Sequence, residues 1–219
     1  IIEYYMDPRN SFDDTFFQFL SNSYDGNTQT LDGIGAIVKG TFLSMAFPEG
    51  VYSSYASLLL QAGRTYGVNP LILASKIINE HGTSGNSDSI SGTVPGYEGY
   101  YNYFNIGAYA HSGRSAIENG LIYAKSQGWN SREKSIMGGT EFFAKDYIQG
   151  NKTTAYFQKF NVMNGASAVA TGQYMTAVWG ANSTGKTLGE GYAAAYSSAL
   201  SFDIPVYQNM PSLPAPQPK

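Results

Sequence analysis

The sequence predicts a mainly α-helical domain that carries a small lobe of loops and a hairpin. Two adjoining segments, residues 52–67 and 69–82, place apolar residues at helical spacing between recognisable start and stop signals. Residues 83–104 differ, because glycine and serine come first and aromatic residues then alternate with small or polar ones. This second pattern favours a flexible loop followed by a short hairpin-like lobe.

The two adjoining helices have the clearest boundaries. Apolar residues continue at helical spacing up to Gly67, a common type of helix stop. In the second helix, Asn69 is suited to the N-cap and Pro70 to the first helical position, while Gly82 follows the end. The second helix is therefore predicted to make about three turns.

Other helical segments are predicted at residues 13–20, 112–128, 130–148 and 154–162, with two more between 170 and 200. Three regions follow from this reading. Residues 1–50 form an N-terminal arm packed on the body, and residues 51–205 form the main domain. Residues 206–219 have the proline-rich composition of a linker or tail.

Composition narrows the range of ligands. Charged residues make up only 13% of the chain, about half the usual share, and aromatic residues make up 15%. Such a surface suits neutral polar ligands such as carbohydrate. The net charge of −3 and the absence of a basic patch give no electrostatic basis for nucleic-acid binding. No apolar run is long enough for a membrane span.

The chain has no cysteine, which excludes disulfides, thiolate metal sites and a cysteine nucleophile. Its two histidines are too few for a histidine-rich zinc site, and no clustered aspartate motif is present. We therefore expect neither a metal nor another cofactor.

Glu80 is unusual among the carboxylates because it falls in the last turn of an apolar helix. The negative end of the helix dipole disfavours a carboxylate there by a few tenths to about 1 kcal/mol. Apolar neighbours would also favour the protonated carboxyl, which is the form that a general acid needs. The alternative is an exposed glutamate at a frayed helix end, and the residues alone favour that alternative.

An aromatic cluster follows Glu80 in the sequence. Its members are Tyr97, Tyr100, Tyr101, Tyr103 and Phe104. These rings would suit stacking on sugar rings, but the hydrophobic face of a hairpin would have the same composition.

Several motifs in order resemble a known family. They are "YGVNP" with "LILASKI", the glutamate followed two residues later by glycine, "YNYFNIGA" (101–108), residues 128–148, and "GQYMT". Together they resemble the endo-β-N-acetylglucosaminidases of glycoside hydrolase family 73, which are bacterial peptidoglycan autolysins with a lysozyme-like helical fold. The resemblance runs from about residue 52 to 200, most of the chain.

The resemblance implies cleavage of the β-1,4 bond between N-acetylglucosamine and N-acetylmuramic acid, on the glucosamine side. It implies a secreted, monomeric enzyme that acts on glycan strands in the cell wall of a Gram-positive bacterium. Glu80 would be the general acid, and Tyr174 would lie in the catalytic cleft. Substrate contacts are predicted at Tyr97, Tyr101, Tyr103, Phe104, Asn105 and Trp129.

The second catalytic group stays open. Glu98 could activate water, bind substrate or be a loop residue with no role in the reaction. If the substrate's own N-acetyl group assisted, no second carboxylate would be needed, and Tyr174 could orient that group. Two alternative functions also stay open: a lytic transglycosylase on the same fold and a non-catalytic wall-binding module.

Overall fold

The computed structural model describes residues 1–171, 177–193 and 199–218, and helices dominate these ranges. The α-helices are α1 (Ile2–Met6), α2 (Leu31–Val38), α3 (Tyr55–Tyr66), α4 (Pro70–His81), α5 (Asp88–Ser91), α6 (Ala116–Ser126), α7 (Arg132–Phe143), α8 (Ala155–Phe160) and α9 (Gly180–Tyr192). In the described ranges, β-pairing is limited to isolated bridges. The predicted mainly α-helical class is confirmed.

The chain divides into two compact units. One comprises Ile1–Thr28 and Lys145–Lys219, and the other comprises Gln29–Ala144. The predicted arm, main domain and tail, with boundaries at residues 50 and 205, stay a prediction.

In the unit Gln29–Ala144, α3 packs against α2, α4 and α7. The boundaries of α4 are those that the sequence predicts. The Asn69 side chain accepts a hydrogen bond from the Leu71 N–H at 2.9 Å, and Pro70 is the first helical residue. Gly82 ends the helix with a φ of 69°, a conformation that suits glycine. Residues 70–75 and Ile77 of α4 are buried, so the helix supplies core for most of its length.

Helix α2 was not predicted from the sequence. Two glycines in "LDGIGAIV" lower its intrinsic helix propensity. Burial of Ile34, Ile37 and Val38 against the other helices outweighs that cost. A local signal was nevertheless present, because the Thr30 hydroxyl caps the helix by accepting from the Gly33 N–H at 3.1 Å.

The hairpin predicted within residues 83–104 is not present. The chain forms α5 and then successive turns, in which the Tyr97 N–H donates to the Val94 carbonyl and the Gly99 N–H donates to the Gly92 carbonyl. Gly92, Gly96 and Gly99 all have φ between 70° and 85°. Repeated left-handed residues bend the chain at short intervals, so the aromatic alternation does not become a strand.

The other unit has an aromatic core. Phe19, Tyr156, Phe157 and Phe160 pack together with Ala181 of α9. Helix α9 lies close to the short 3₁₀ helix Phe16–Phe19. Of the two late helices predicted, α9 covers parts of both segments, whereas residues 172–176 and 194–198 lie outside the described residues.

The proline-rich tail contacts the N-terminal residues of the same unit. Arg9 donates to the carbonyls of Pro211 and Leu213, and the Ala215 N–H donates to the Asp7 carboxylate at 2.9 Å. Asp7 also forms an ion pair with Arg9 at 2.7 Å. The Arg9 hydrogen bond is the main cause that lowers the pKa of Asp7 to about 2. At least residues 211–215 are thus held by specific bonds, despite their linker-like composition.

Candidate active site

Glu80 lies in the last turn of α4 with an exposed side chain. Its Oε2 accepts a hydrogen bond from Nδ2 of Asn105 at 2.8 Å. The expectation that apolar neighbours desolvate Glu80 is wrong, because Asn79 and Glu80 are exposed although the next residue, His81, is buried. Glu80 therefore faces solvent while one of its oxygens is held by another part of the chain.

A cationic side chain lies one helical turn before Glu80. Lys76 is half-buried, and its Nζ lies 4.9 Å from the centroid of the Phe143 ring. Burial lowers the pKa of Lys76, and the nearby Glu80 carboxylate opposes that effect. Side chains four residues apart share a helix face, so this charge adds to the electrostatic environment of Glu80.

The loop that contains Asn105 is held by the buried side chain of Asn102. Its Nδ2 donates to the carbonyls of Ile106 and Gly120, both at 2.9 Å, and its Oδ1 accepts from the Ile106 N–H at 3.1 Å. The Asn102 N–H also donates to the Ser89 carbonyl at 2.7 Å. These bonds tie the loop to α5 and α6 and limit the positions that Asn105 can take.

His81, the residue after Glu80, contacts the same loop. Its Nε2 lies 3.0 Å from the Tyr103 carbonyl oxygen. A carbonyl oxygen can only accept, so Nε2 carries the proton. Burial lowers the pKa of His81, an effect that the Tyr103 carbonyl partly opposes. A neutral histidine therefore joins the end of α4 to the loop.

Two of the predicted substrate-contacting rings are in the core. Tyr103 is 1% exposed and Trp129 is 5% exposed. The Tyr103 hydroxyl pairs with the Tyr55 hydroxyl at 3.0 Å, and Trp129 packs directly over Gly138. Rings that protein atoms cover in this way cannot stack on a sugar, so we assign both to the core.

Three other predicted rings are partly accessible. Phe104 packs over Gly139, where an added Cβ would come within 2.2 Å of the ring. Tyr101 lies under the Arg132 guanidinium at 4.5 Å, and Tyr97 is 5.9 Å from the Lys125 ammonium. Each of these rings has one side in contact with protein and is half-exposed.

Glu98 has a different environment from Glu80. Its carboxylate is exposed, and Oε2 accepts from the Gly96 N–H at 3.0 Å. Backbone hydrogen bonds, first from its own N–H and then from that of Gly96, lower the pKa of Glu98. Glu98 therefore stabilises the turn in which it lies. Tyr174 lies outside the described residues.

An exposed aromatic residue that was not predicted from the sequence, Tyr109, lies in the loop that continues from Asn105. Tyr109 is 64% exposed and stacks on His111 with ring centroids 4.7 Å apart. The buried Asn119 side chain donates to the carbonyls of Tyr109 and His111 at 2.9 and 3.3 Å. The Ser-Gly pair at 112–113 was a turn signal that could have drawn attention to this loop.

Across the described ranges, no group of three His, Cys, Asp or Glu side chains could hold a metal ion. None of the described helices combines the length and the apolar character that crossing a membrane requires.

No family model matches the chain. It is 31% identical over 169 residues to a bifunctional autolysin of Staphylococcus epidermidis. That alignment covers 73% of this chain and 12% of the relative. It is 30% identical over 206 residues to a β-N-acetylglucosaminidase of Bacillus subtilis, covering 93% of this chain and 22% of the relative. The chain thus spans about an eighth and about a fifth of the length of these two relatives.

The solved structures with a similar fold are also autolysins. The fold is similar to that of a major bifunctional autolysin, with a TM-score of 0.69 and 28% identity, covering 94% of this chain and 81% of the other. It is also similar to Staphylococcus aureus autolysin E in complex with a muropeptide, with a TM-score of 0.61 and 25% identity. That alignment covers 87% of this chain and 78% of autolysin E.

Proposed function

The chain belongs to the family of bacterial autolysin glucosaminidase domains, and on that premise we propose that it is an endo-β-N-acetylglucosaminidase of peptidoglycan. Its substrate is the glycan strand, cut at the β-1,4 bond between N-acetylglucosamine and N-acetylmuramic acid. The muropeptide bound by the similar autolysin E supports this substrate class. The place of action is the bacterial cell wall, outside the cell.

The observation that carries the proposal is Glu80, exposed at the end of α4 with Oε2 held by Asn105 at 2.8 Å. Glu80 donates its proton to the glycosidic oxygen as the bond from that oxygen to C1 of N-acetylglucosamine breaks. The muramic acid leaves with a free hydroxyl. Water then adds to C1 and gives one proton to the Glu80 carboxylate, which restores the acid. A bound glycan excludes water from Glu80, and this desolvation favours the protonated carboxyl that the step needs.

Glu98 is not assigned to the chemical step. Its carboxylate is engaged by backbone N–H groups of its own turn, which is a sufficient account of its position. The N-acetyl group of the substrate supplies the second group instead, by stabilising the positive charge that develops at C1. This arrangement needs one protein carboxylate, in contrast to the usual pair.

The glycan is contacted by rings that keep an exposed face. Tyr109 is the most accessible, and Tyr97 and Phe104 are half-exposed. The low content of charged residues is consistent with a neutral polysaccharide.

The test is the substitution Glu80→Gln, with Glu3→Gln as the matched change at another exposed glutamate. Purified cell walls are digested, and turbidity and the new chain ends are measured. Wild type and Glu3→Gln should release reducing N-acetylglucosamine ends, and Glu80→Gln should not. Release of 1,6-anhydromuramic ends would instead identify a lytic transglycosylase, and binding without cleavage by the wild type would identify a wall-binding module.

A further inference from the structure

The end of α4 is joined to one loop by two adjacent residues. Glu80 accepts from Asn105 at 2.8 Å, and His81 donates to the carbonyl of Tyr103 at 3.0 Å. We propose that Asn105 and His81 are positioning residues that determine which oxygen of Glu80 delivers the proton. This inference rests on the proposed role of Glu80 and adds a function to two residues around it.

The backbone conformation of Asn105 is held independently of its side-chain contacts. Its φ is 48°, in the left-handed region that asparagine tolerates better than most residues. The Asn105 carbonyl accepts from the Ala108 N–H at 3.0 Å. The held backbone fixes the direction of the Cα–Cβ bond, and the burial of Oδ1 limits rotation of the amide, so the amide stays directed at Glu80.

The amide of Asn105 makes no competing side-chain bond in the described part of the chain. Its Oδ1 is buried without a hydrogen-bond partner there, while Nδ2 donates to Glu80. An ionised carboxylate can only accept, so the N–H group faces Oε2. Oε1 is then the oxygen left to carry the transferable proton.

This arrangement favours the transition state over the ground state. As the proton leaves Oε1 for the glycosidic oxygen, negative charge develops on the Glu80 carboxylate. The hydrogen bond from Asn105 to Oε2 becomes charge-assisted at that moment and strengthens. Only interactions that are stronger in the transition state raise kcat, and this bond meets that condition.

His81 acts through the loop. Its donor to the Tyr103 carbonyl fixes the backbone two residues before Asn105, relative to the helix end that carries Glu80. The Tyr103 N–H is also held, by the Ser135 hydroxyl at 3.0 Å. Losing the histidine bond would let the loop move relative to α4 while its other anchors remain.

The first test is Asn105→Gly, which keeps the left-handed backbone available and removes the amide. Asn151→Gly is the matched control, because Asn151 has a φ of 55° and its amide bonds to Asn164. With soluble peptidoglycan oligosaccharides, we expect kcat of Asn105→Gly to fall by about 10- to 100-fold, with KM and Tm little changed. The control should keep the wild-type kcat.

A raised KM with an unchanged kcat would overturn the proposal and make Asn105 a substrate contact. Unchanged values of both would also overturn it. The proposed function fails separately, if Glu80→Gln keeps its activity. If Glu80→Gln loses all activity while Asn105→Gly keeps the wild-type kcat and KM, only the positioning role is rejected.

The second test compares His81→Ala with His81→Gln, because glutamine retains an N–H donor of similar reach. We expect His81→Ala to lower kcat and His81→Gln to restore part of it. If His81→Ala does not fold, a glutamine variant that folds with kcat at the wild-type level still supports the donor role. A folded glutamine variant with kcat as low as that of Asn105→Gly would contradict it.

Discussion

Glu80 and Glu98 are both exposed glutamates that accept hydrogen bonds, yet the origins of those bonds differ. The donor to Glu80 is Asn105, 25 residues away, on a loop anchored to several helices. The donors to Glu98 are its own N–H and that of Gly96, two residues away. A carboxylate held across elements is positioned by the tertiary fold, whereas one held within its turn mainly stabilises that turn. This difference supports the proposal that Glu80 takes part in the reaction and that Glu98 stabilises its turn.

The largest effect is expected from Glu80→Gln. Removing a general acid typically costs about 10²- to 10⁴-fold in rate, and glutamine cannot donate the proton that the carboxyl supplies. Initial rates on soluble glycan oligosaccharides measure this loss, and thermal unfolding should show a Tm near that of the wild type. If Glu80→Gln kept an activity close to that of the wild type, Glu80 would not be the general acid and its contrast with Glu98 would have no functional meaning.

Asp7 extends the comparison to a carboxylate with both kinds of bond, since it pairs with Arg9 and also accepts from the distant Ala215 N–H. We expect Asp7→Asn to lower the free energy of unfolding by about 1–2 kcal/mol after allowing for screening near the surface. Activity should stay unchanged, because no catalytic role is assigned to Asp7.

The contribution of Asp7 to the free energy of unfolding should decrease as the pH falls. The pKa of Asp7 is lowered from 3.8 to about 2, so its stabilisation is present above 3.8 and is lost as the pH falls through about 2. Urea unfolding at neutral and acidic pH measures it. Equal destabilisation of Asp7→Asn at pH 7 and below pH 2 would contradict the assignment.

A smaller effect is expected from Tyr109→Ala. Loss of one stacked ring should raise KM for the glycan by up to about tenfold, with little change in kcat. Tyr109→Phe keeps the ring and should behave like the wild type. If kcat falls while KM stays constant, Tyr109 acts on the chemical step and not as a sugar contact.

The smallest effect is expected from Glu98→Gln. The amide oxygen of glutamine still accepts from the Gly96 N–H, so activity should stay near the wild-type level and Tm should fall slightly at most. The same oligosaccharide assay measures it. Near-complete loss of activity would instead make Glu98 a second catalytic carboxylate and would end the distinction from Glu80.

Signals within a few residues of each other predicted the fold well. The caps at Asn69 and Gly82 place α4 correctly, and with it the position of Glu80 at the helix end. Burial was less predictable, since the alternation in "YEGYYNYF" could not show that Tyr103 is covered while Tyr97 is half-exposed. Which aromatic residue is buried depends on α3 and α7, which contribute Tyr55 and Ser135 as the partners of Tyr103.

The hydrogen bond between Glu80 and Asn105 also could not be predicted from the sequence. Asn105 was predicted to contact substrate, and nothing local indicates that its amide bonds to a helix end 25 residues earlier. Only the tertiary arrangement of the loop, fixed by the buried Asn102, brings the two side chains together.

The contact between Phe104 and Gly139 links a remote position to the active site. A methyl group added at Gly139 would meet the Phe104 ring at 2.2 Å, and Phe104 is the neighbour of Asn105. The displacement would pass along the backbone to the amide that holds Glu80. A random-mutagenesis screen for inactive variants should therefore recover Gly139→Ala, although no residue of α7 is proposed to act in the reaction. Natural variation at this position should be narrower than its place in the interior of a helix would suggest.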